Sequence, residues 1–242
     1  MIGQQLVVVA DAHLGAAPGS DEEAFLGFLD AVPTLGDSLL LAGDIYDFWF
    51  TYKRLIPRHC IRITARLVEM ARRLPILMIG GNHDRWGDTF WGRETGIRFD
   101  RRELRFQIGT RDVLAIHGDG LHEERPTAGM LNRILDRPAV IAGFDLLPAT
   151  IGFRIAKRLG HDPAFAAAHP ELVEQAATRQ ARWAERRLRA DPSISALVMG
   201  HTHRAALCQV EPGRWYVNPG AWLVEQRYAL VNDSAIRLAS FS

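Results

Sequence analysis

The stretch Ile76-Leu77-Met78-Ile79-Gly80-Gly81-Asn82-His83-Asp84 decides how the chain folds. Its apolar run is too short for a helix and suits a strand buried on both faces, the kind a parallel sheet requires. Glycines end the run, and amide, imidazole and carboxylate side chains follow at once. The same succession recurs along the chain. Leu6 to Ala10 leads into Asp11-Ala12-His13, Ser38 to Ala42 into Gly43-Asp44, Val113 to Ile116 into His117-Gly118-Asp119, and Ile194 to Met199 into Gly200-His201-Thr202-His203. In α/β folds the carboxyl ends of strands meet along one crevice, so clusters far apart in sequence are expected to gather in one place.

Between the first three apolar runs, Glu22 to Ala31 and Ile61 to Leu74 show helical spacing, which predicts a β-α-β-α-β opening and a parallel sheet covered by helices. In Arg102 to Ile116 and Ala206 to Ser240, strand-like stretches alternate with turn signals such as Glu211-Pro212-Gly213 and Asn218-Pro219-Gly220, so antiparallel pairing is expected there. From about residue 125 to 191 the strand signal disappears. Apolar positions in Met130 to Leu135 and Leu172 to Leu188 recur at helical spacing, which reads as a lid-like helical insertion. The expectation is an α/β fold, a two-sheet β-sandwich flanked by helices, with residues 1–242 forming a single domain interrupted by that insertion.

Twenty-nine basic residues against twenty-eight acidic ones leave a formal net charge of +1, so no global field draws the chain to nucleic acid, and none is expected as a partner. Two cysteines, Cys60 and Cys208, fit a reducing compartment and read as small buried hydrophobes. The opening Met-Ile-Gly-Gln-Gln lacks a basic leader, and Leu6 to Ala10 is too short for a signal or a membrane span. The expected location is the cytoplasm.

Carboxylate, amide and imidazole form a borderline-hard donor set that suits Mn²⁺, Zn²⁺ or Fe²⁺ better than Ca²⁺. Asp11 and His13 lie two residues apart, as do His201 and His203, so each pair is able to turn towards one ion. A carboxylate such as Asp44 is able to bridge two ions about 3.5–4 Å apart, the separation used for in-line displacement at phosphorus. Gly43, Gly81, Gly118 and Gly200 stand beside these residues, where the backbone leaves a strand abruptly and positive φ is expected.

The set Asp11-x-His13, Gly43-Asp44, Gly81-Asn82-His83-Asp84, His117 and Gly200-His201-x-His203 resembles the calcineurin-like metallophosphoesterases, in that family's order and over nearly the whole chain. The resemblance implies the metallophosphoesterase fold and two divalent metal ions, Mn²⁺ first, with Zn²⁺ or Fe²⁺ as alternatives. One ion would be held by Asp11, His13, Asp44 and His203, the other by Asp44, Asn82, His117 and His201, with Asp44 and a hydroxide between them. His83 would protonate the leaving oxygen or stabilise charge on the phosphoryl oxygens, and Asp84 would orient it.

Within the superfamily the chain looks most like the UDP-2,3-diacylglucosamine pyrophosphatases. That resemblance rests on Gly43-Asp44-Ile45-Tyr46-Asp47-Phe48-Trp49, the His117-Gly118-Asp119 turn, the insertion before Gly200-His201-Thr202-His203-Arg204, and Gly220-Ala221-Trp222. It implies a small-molecule phosphate substrate, a nucleotide-linked lipid cleaved to UMP and an acyl-sugar phosphate. The segment from Leu146-Leu147-Pro148 to Arg154-Ile155-Ala156-Lys157-Arg158 is similar in character to that group's lid helices, and either covers acyl chains with a peripheral contact at the inner membrane face or packs as an ordinary amphipathic helix. One branch of these enzymes has arginine where this chain has His83. The alternatives are a phosphodiesterase or phosphomonoesterase acting on a soluble nucleotide and, from a different class, a non-catalytic binding module.

Arg85 and His122 are the candidate substrate contacts, with a solvent-facing arginine the competing reading for Arg85. Asp119 is expected to orient a ligand, while His59, His161 and His169 read as surface residues. Asp47-Phe48-Trp49-Phe50, Trp86 and Trp91 read first as core, and otherwise as an aromatic wall for a nucleobase or acyl chain.

Overall fold

The computed structural model describes residues 1–15, 20–50, 55–58, 61–87, 90–121, 134–135, 137–148, 151–152 and 169–241. Strands β1 (Gln5–Val9), β2 (Ser38–Leu41) and β3 (Ile76–Ile79) alternate with helices α1 (Ser20–Leu35) and α2 (Ile61–Met70). There follow β4 (Arg98–Asp100), β5 (Leu104–Ile108), β6 (Arg111–Ala115), α3 (Pro138–Asp145), α4 (Pro170–Ala190), β7 (Ala196–Val198), β8 (Ala206–Glu211), β9 (Arg214–Asn218), α5 (Trp222–Glu225), β10 (Arg227–Asn232) and β11 (Ile236–Ser240).

Two sheets result, one of six strands in the order β11-β10-β1-β2-β3-β4 and one of five in the order β5-β6-β7-β9-β8. The strands β1, β2, β3 and β4 run parallel, as do β6, β7 and β9, whereas β5 with β6, β8 with β9 and β10 with β11 are antiparallel pairs. This matches the expected split between the two halves of the chain.

Period-two side-chain alternation sorts the strands into layers. Leu6 and Val8 of β1, with Leu40 and Leu77, face Phe106, Val113, Ala196 and Val217 of the second sheet. Val7, Val9, Leu39, Leu41 and Met78 point the other way, onto Phe25, Phe28, Leu29 and Val32 of α1 and Ile63 and Leu67 of α2. Leu114, Leu197, Met199 and Tyr216 on the outer face of the second sheet are covered by Ala184 and Leu188 of α4. The order of layers is therefore helix, sheet, sheet, helix.

Helix α4 forms the end of the expected insertion and packs on the second sheet. It begins with proline, whose missing N–H costs nothing in a first turn. Arg214 fastens its far end, donating from Nε to Ile194 O at 3.0 Å and from Nη2 to Asp191 O at 2.6 Å and to Leu188 O. The closing third of the expected insertion is thus a structural layer, because its apolar stripe has the second sheet to bury against. Helix α3 lies in the remainder, where Leu146 is 86% and Ile151 45% exposed. Among the described residues no helix is long and apolar enough to cross a membrane. Cys208 on the edge strand β8 is exposed, contrary to the buried reading, and Cys60 lies outside the described residues.

A Leu188→Ala protein is expected to lose about 2–5 kcal/mol of stability in urea unfolding, the range for a buried leucine truncated in a packed core. A loss within experimental error would return α4 to the status of a detachable lid.

Candidate metal centre

Strands β1, β2 and β3 of the first sheet and β6 and β7 of the second end on the same edge, and each is followed within three residues by a candidate ligand. Asp11, His13, Asp44, Asn82, His83, His117, His201 and His203 meet there. Ligand atoms of Asp11, His13 and His203 lie within 4.8 Å of one another, as do those of Asp44, His117 and His201. A third group of the same tightness, His13, Asp44 and His83, joins the first two. The Asp44 carboxylate sits at the junction, its Oδ2 3.1 Å from His117 Nε2 and 3.9 Å from His13 Nε2.

The backbone is bent to make this happen. Among the described non-glycine residues, positive φ occurs at Asp11 (52°), His13 (43°), Asp44 (52°), His201 (70°), His203 (57°) and Gln226 (48°). Strain of this kind costs about 1–3 kcal/mol per residue and persists only where surroundings over-determine it. Here N–H donors of one loop are received by the next: Asp11 N by Gly43 O at 3.1 Å, His13 N by Asp44 O at 3.0 Å and Leu14 N by Ile45 O at 2.9 Å. Gly200 O accepts from Thr202 N at 2.9 Å, Gln180 Nε2 at 2.9 Å and Asn218 Nδ2 at 3.0 Å, which fixes the loop before His201.

The flanking glycines divide into two kinds. Gly43 and Gly118 have φ of 93° and 119°, as expected. Gly81 does not adopt positive φ. It is glycine because a Cβ there would collide with Asp44, approaching its carboxylate and lying 2.6 Å from its backbone nitrogen.

Electrostatics and hydrogen bonding fit a cation. His117 donates from Nδ1 to Ala42 O at 3.0 Å, which turns its buried Nε2 towards the cluster, 3.1 Å from Asp44 Oδ2. Imidazoles that bind metals are commonly held in this way by an outer carbonyl. His201 likewise has its Nδ1 3.1 Å from Asn82 Oδ1. Burial and the neighbouring Asp44 and Asp84 charges push the Asp11 carboxyl up to about 8, against the opposing pull of His117 and the His201 N–H. Burial would also raise Asp44, but His117, His83 and His13 outweigh it and hold that carboxyl well below the usual range. Burial by itself would lower His117, yet the Asp44 and Asp11 charges carry it up to about 10.

The Asp84 carboxylate is turned to backbone N–H groups. Its Oδ1 accepts from Gly81 N at 2.7 Å and Asp44 N at 3.2 Å, and its Oδ2 from Ile45 N at 2.8 Å and Tyr46 N at 3.4 Å. It clamps the loop that presents Asp44, and burial together with the Asp44 charge raises its own carboxyl to about 6. His83 is held by Asp47, whose backbone oxygen is 2.6 Å from His83 Nδ1. Arg85 is buried and ion-paired with Asp119, so the solvent-facing reading fails. The pair ties the Asn82 loop to the His117 loop. His122, His59 and His161 lie outside the described residues, and His169 is half-buried and paired with Glu171.

The aromatic run splits. Trp49 is core, against Tyr46 at 4.6 Å and Trp91 at 4.7 Å between ring centroids. Phe50 and Trp86 face the insertion, where Phe144 of α3 meets them at 4.5 and 5.0 Å. Asp47, Asn218 and Gln180 went unsingled in the sequence. Asn218 had only a turn signal, and Gln180 is one polar residue on an amphipathic helix.

The profile of the calcineurin-like phosphoesterase family matches residues 5–205. Proteins named UDP-2,3-diacylglucosamine hydrolase are similar over almost their full length: that of Klebsiella pneumoniae is 26% identical, with 96% of this chain and 97% of the relative covered, and that of Salmonella typhi has the same identity and coverage. Among solved structures, a phosphoesterase of E. coli superimposes with a TM-score of 0.48 at 14% identity, covering 98% of this chain and 92% of the other.

Addition of Mn²⁺ or Zn²⁺ to the chelator-treated protein is expected to raise its unfolding free energy, by about 2.7 kcal/mol at a hundredfold excess over the dissociation constant. Asp44→Asn should abolish most of that gain. Identical denaturation curves with metal and with chelator would rule out a cation site among these residues.

Proposed function

This chain belongs to the calcineurin-like phosphoesterase family and is a metal-dependent phosphate ester hydrolase, and from that premise we propose that it cleaves the phosphoanhydride of a UDP-linked diacylated glucosamine. The observation that carries the substrate is the end-to-end similarity to the UDP-2,3-diacylglucosamine hydrolases, which spans 96% of the chain. The exposed apolar side chains Leu121, just before the insertion, and Ile134, Leu146 and Ile151 within it support an acyl-bearing substrate and a peripheral contact with the inner membrane face from the cytoplasm. The helical insertion within the single domain would then act as a cover in its α3 portion.

In this reading Asp11, His13, Asp44 and His203 would hold one divalent ion and Asp44, Asn82, His117 and His201 a second, with Mn²⁺ the first choice. Bound there, the ions supply Lewis acidity, drawing the pKa of water towards neutrality and offsetting phosphoryl charge. The rest falls to side chains. A backbone oxygen only accepts, so the Asp47 contact fixes the His83 proton on Nδ1 and turns Nε2 into the nitrogen that exchanges a proton with the leaving oxygen. Asp84 acts one step removed, holding the Asp44 loop.

His83, where one branch of these pyrophosphatases has arginine, favours a second reading, a phosphodiesterase or phosphomonoesterase acting on a soluble nucleotide. The Mn²⁺-loaded protein should release UMP from UDP-2,3-diacylglucosamine and act poorly on bis-p-nitrophenyl phosphate and cyclic nucleotides; the reverse ranking selects the second reading. His83→Ala should lower kcat by about 10²–10⁴ with metal content unchanged, the usual range for a lost general acid. Asn82→Ala at full activity would contradict the proposed ligand set.

A further inference from the structure

Helix α4 buries Gln180, Ala184 and Leu188 along one stripe. The last two are apolar and pack on the second sheet. Gln180 is fully shielded from water in the same row, where an amide is tolerated only if its polar atoms are engaged. Its Nε2 donates to Gly200 O at 2.9 Å and to Tyr216 Oη at 3.1 Å, which uses both amide hydrogens. A carbonyl oxygen only accepts, so the amide nitrogen belongs on the Gly200 side. Its Oε1 lies against the other loop: a Cβ added to Gly118, next to His117, would come 3.0 Å from it. One side chain of the outer helix thus packs against the loops that carry His117 and His201.

The contact acts on the peptide unit between Gly200 and His201. No peptide bond among the described residues is cis, and in a planar trans unit the C=O and N–H point in opposite directions. Gly200 O is drawn outwards by Gln180 and by Asn218 Nδ2 at 3.0 Å. The N–H of the same unit then points back into the seam, where His201 N lies 3.0 Å from each oxygen of Asp11. His201 itself has φ of 70°, and its Nδ1 is 3.1 Å from Asn82 Oδ1. Rotating that peptide would break the Asp11 contact and swing the His201 ring together. Gly200 O also accepts from Thr202 N, which belongs to the loop itself, and Asn218 ends β9, so Gln180 alone of these three donors reaches it from the helical layer.

We propose that Gln180 is a positioning residue: by holding Gly200 O from α4 it aims the His201 N–H at Asp11 and fixes the His201 ring beside Asn82. The helix outside the second sheet thereby sets one side of the metal centre. The inference rests on the two-ion reading above for its consequence in metal binding, whereas the orientation of the peptide is open to a test that needs neither metal nor substrate.

That test uses the full chain, comparing wild type with Gln180→Met and Gln180→Glu, which keep the length of the side chain and lose the amide donor. Leu188→Ala serves as a control that weakens the same helix without touching the loop. Before Zn²⁺ is added, hydrogen exchange at the wild-type His201 amide should require global unfolding, and in both Gln180 variants it should run about tenfold faster than their unfolding free energies allow, the change expected for one lost hydrogen bond. In Leu188→Ala it should follow global stability alone. Calorimetric titration should then show Zn²⁺ affinity weakened by about tenfold in the Gln180 variants, the lower end for loss of an outer partner of a metal ligand, and unchanged in folded Leu188→Ala. Should one Gln180 variant fail to fold, the other carries both measurements. A wild-type His201 amide that exchanges by local opening would overturn the proposal without any variant, and so would wild-type exchange or wild-type Zn²⁺ affinity in the Gln180 variants. A wild type that binds Zn²⁺ and hydrolyses no phosphate compound would fail the functional reading alone, and the exchange and affinity series would still decide Gln180.

Discussion

Burying three carboxylates within one small seam is the constraint around which the rest is arranged. Asp11, Asp44 and Asp84 are all shielded from water, and ions in such surroundings lose hydration worth several kcal/mol apiece unless something replaces it. Each has a different replacement. Asp84 is satisfied by backbone N–H donors, Asp11 receives the His201 N–H on both oxygens at 3.0 Å, and Asp44 is surrounded by imidazoles. The outcome is an ordering, with Asp11 raised to about 8, Asp84 to about 6, and Asp44 alone driven down. The carboxylate kept ionised is the one that touches both ligand groups, which is where cationic charge has the most to gain.

Geometry follows from the same demand. Bringing side chains from five strand ends onto one point requires the backbone to turn within a residue or two of each strand, and the ligands themselves adopt the left-handed conformation at Asp11, His13, Asp44, His201 and His203. A lone strained residue would relax. Here the loops are sewn to one another and, through His117 Nδ1 to Ala42 O and His201 N to Asp11, across the gap between the two sheets. The sandwich is accordingly the device that allows strain, since its two layers hold the bent segments from opposite sides.

What was legible in the sequence was local. An apolar run followed at once by metal-capable side chains needs no partner to be recognised, so β1, β2, β3, β6 and β7 and the residues after them could be read directly. β4 escaped notice because Arg98 and Asp100 leave a three-residue strand without an apolar run. The tasks of Asp84, Arg85 and Asp47 were hidden for another reason. Asp84 meets the N–H groups of residues 44 to 46, Arg85 meets Asp119, and His83 meets Asp47, and such pairings exist only after strand order brings distant loops side by side. The family resemblance offered Asp84 as the partner of His83, and the turn brings its oxygens to backbone N–H groups as well. Helical periodicity in the insertion was real, but periodicity reports an apolar stripe and not what covers it, so α4 was indistinguishable from a lid until Leu188 was seen against the second sheet.

Chemistry and selection share the same two loops. Phe50 belongs to the loop that begins at Asp44, Trp86 follows Asn82 and His83, and both rings reach Phe144 on α3. Aromatic contacts of this size bury large areas and prefer particular geometries, so they transmit displacement poorly by degrees and well by steps. A shift of α3 must therefore either break these ring contacts or move the loops that carry Asp44 and His83. Through Phe144, α3 is thus in direct contact with the loops that present Asp44 and His83.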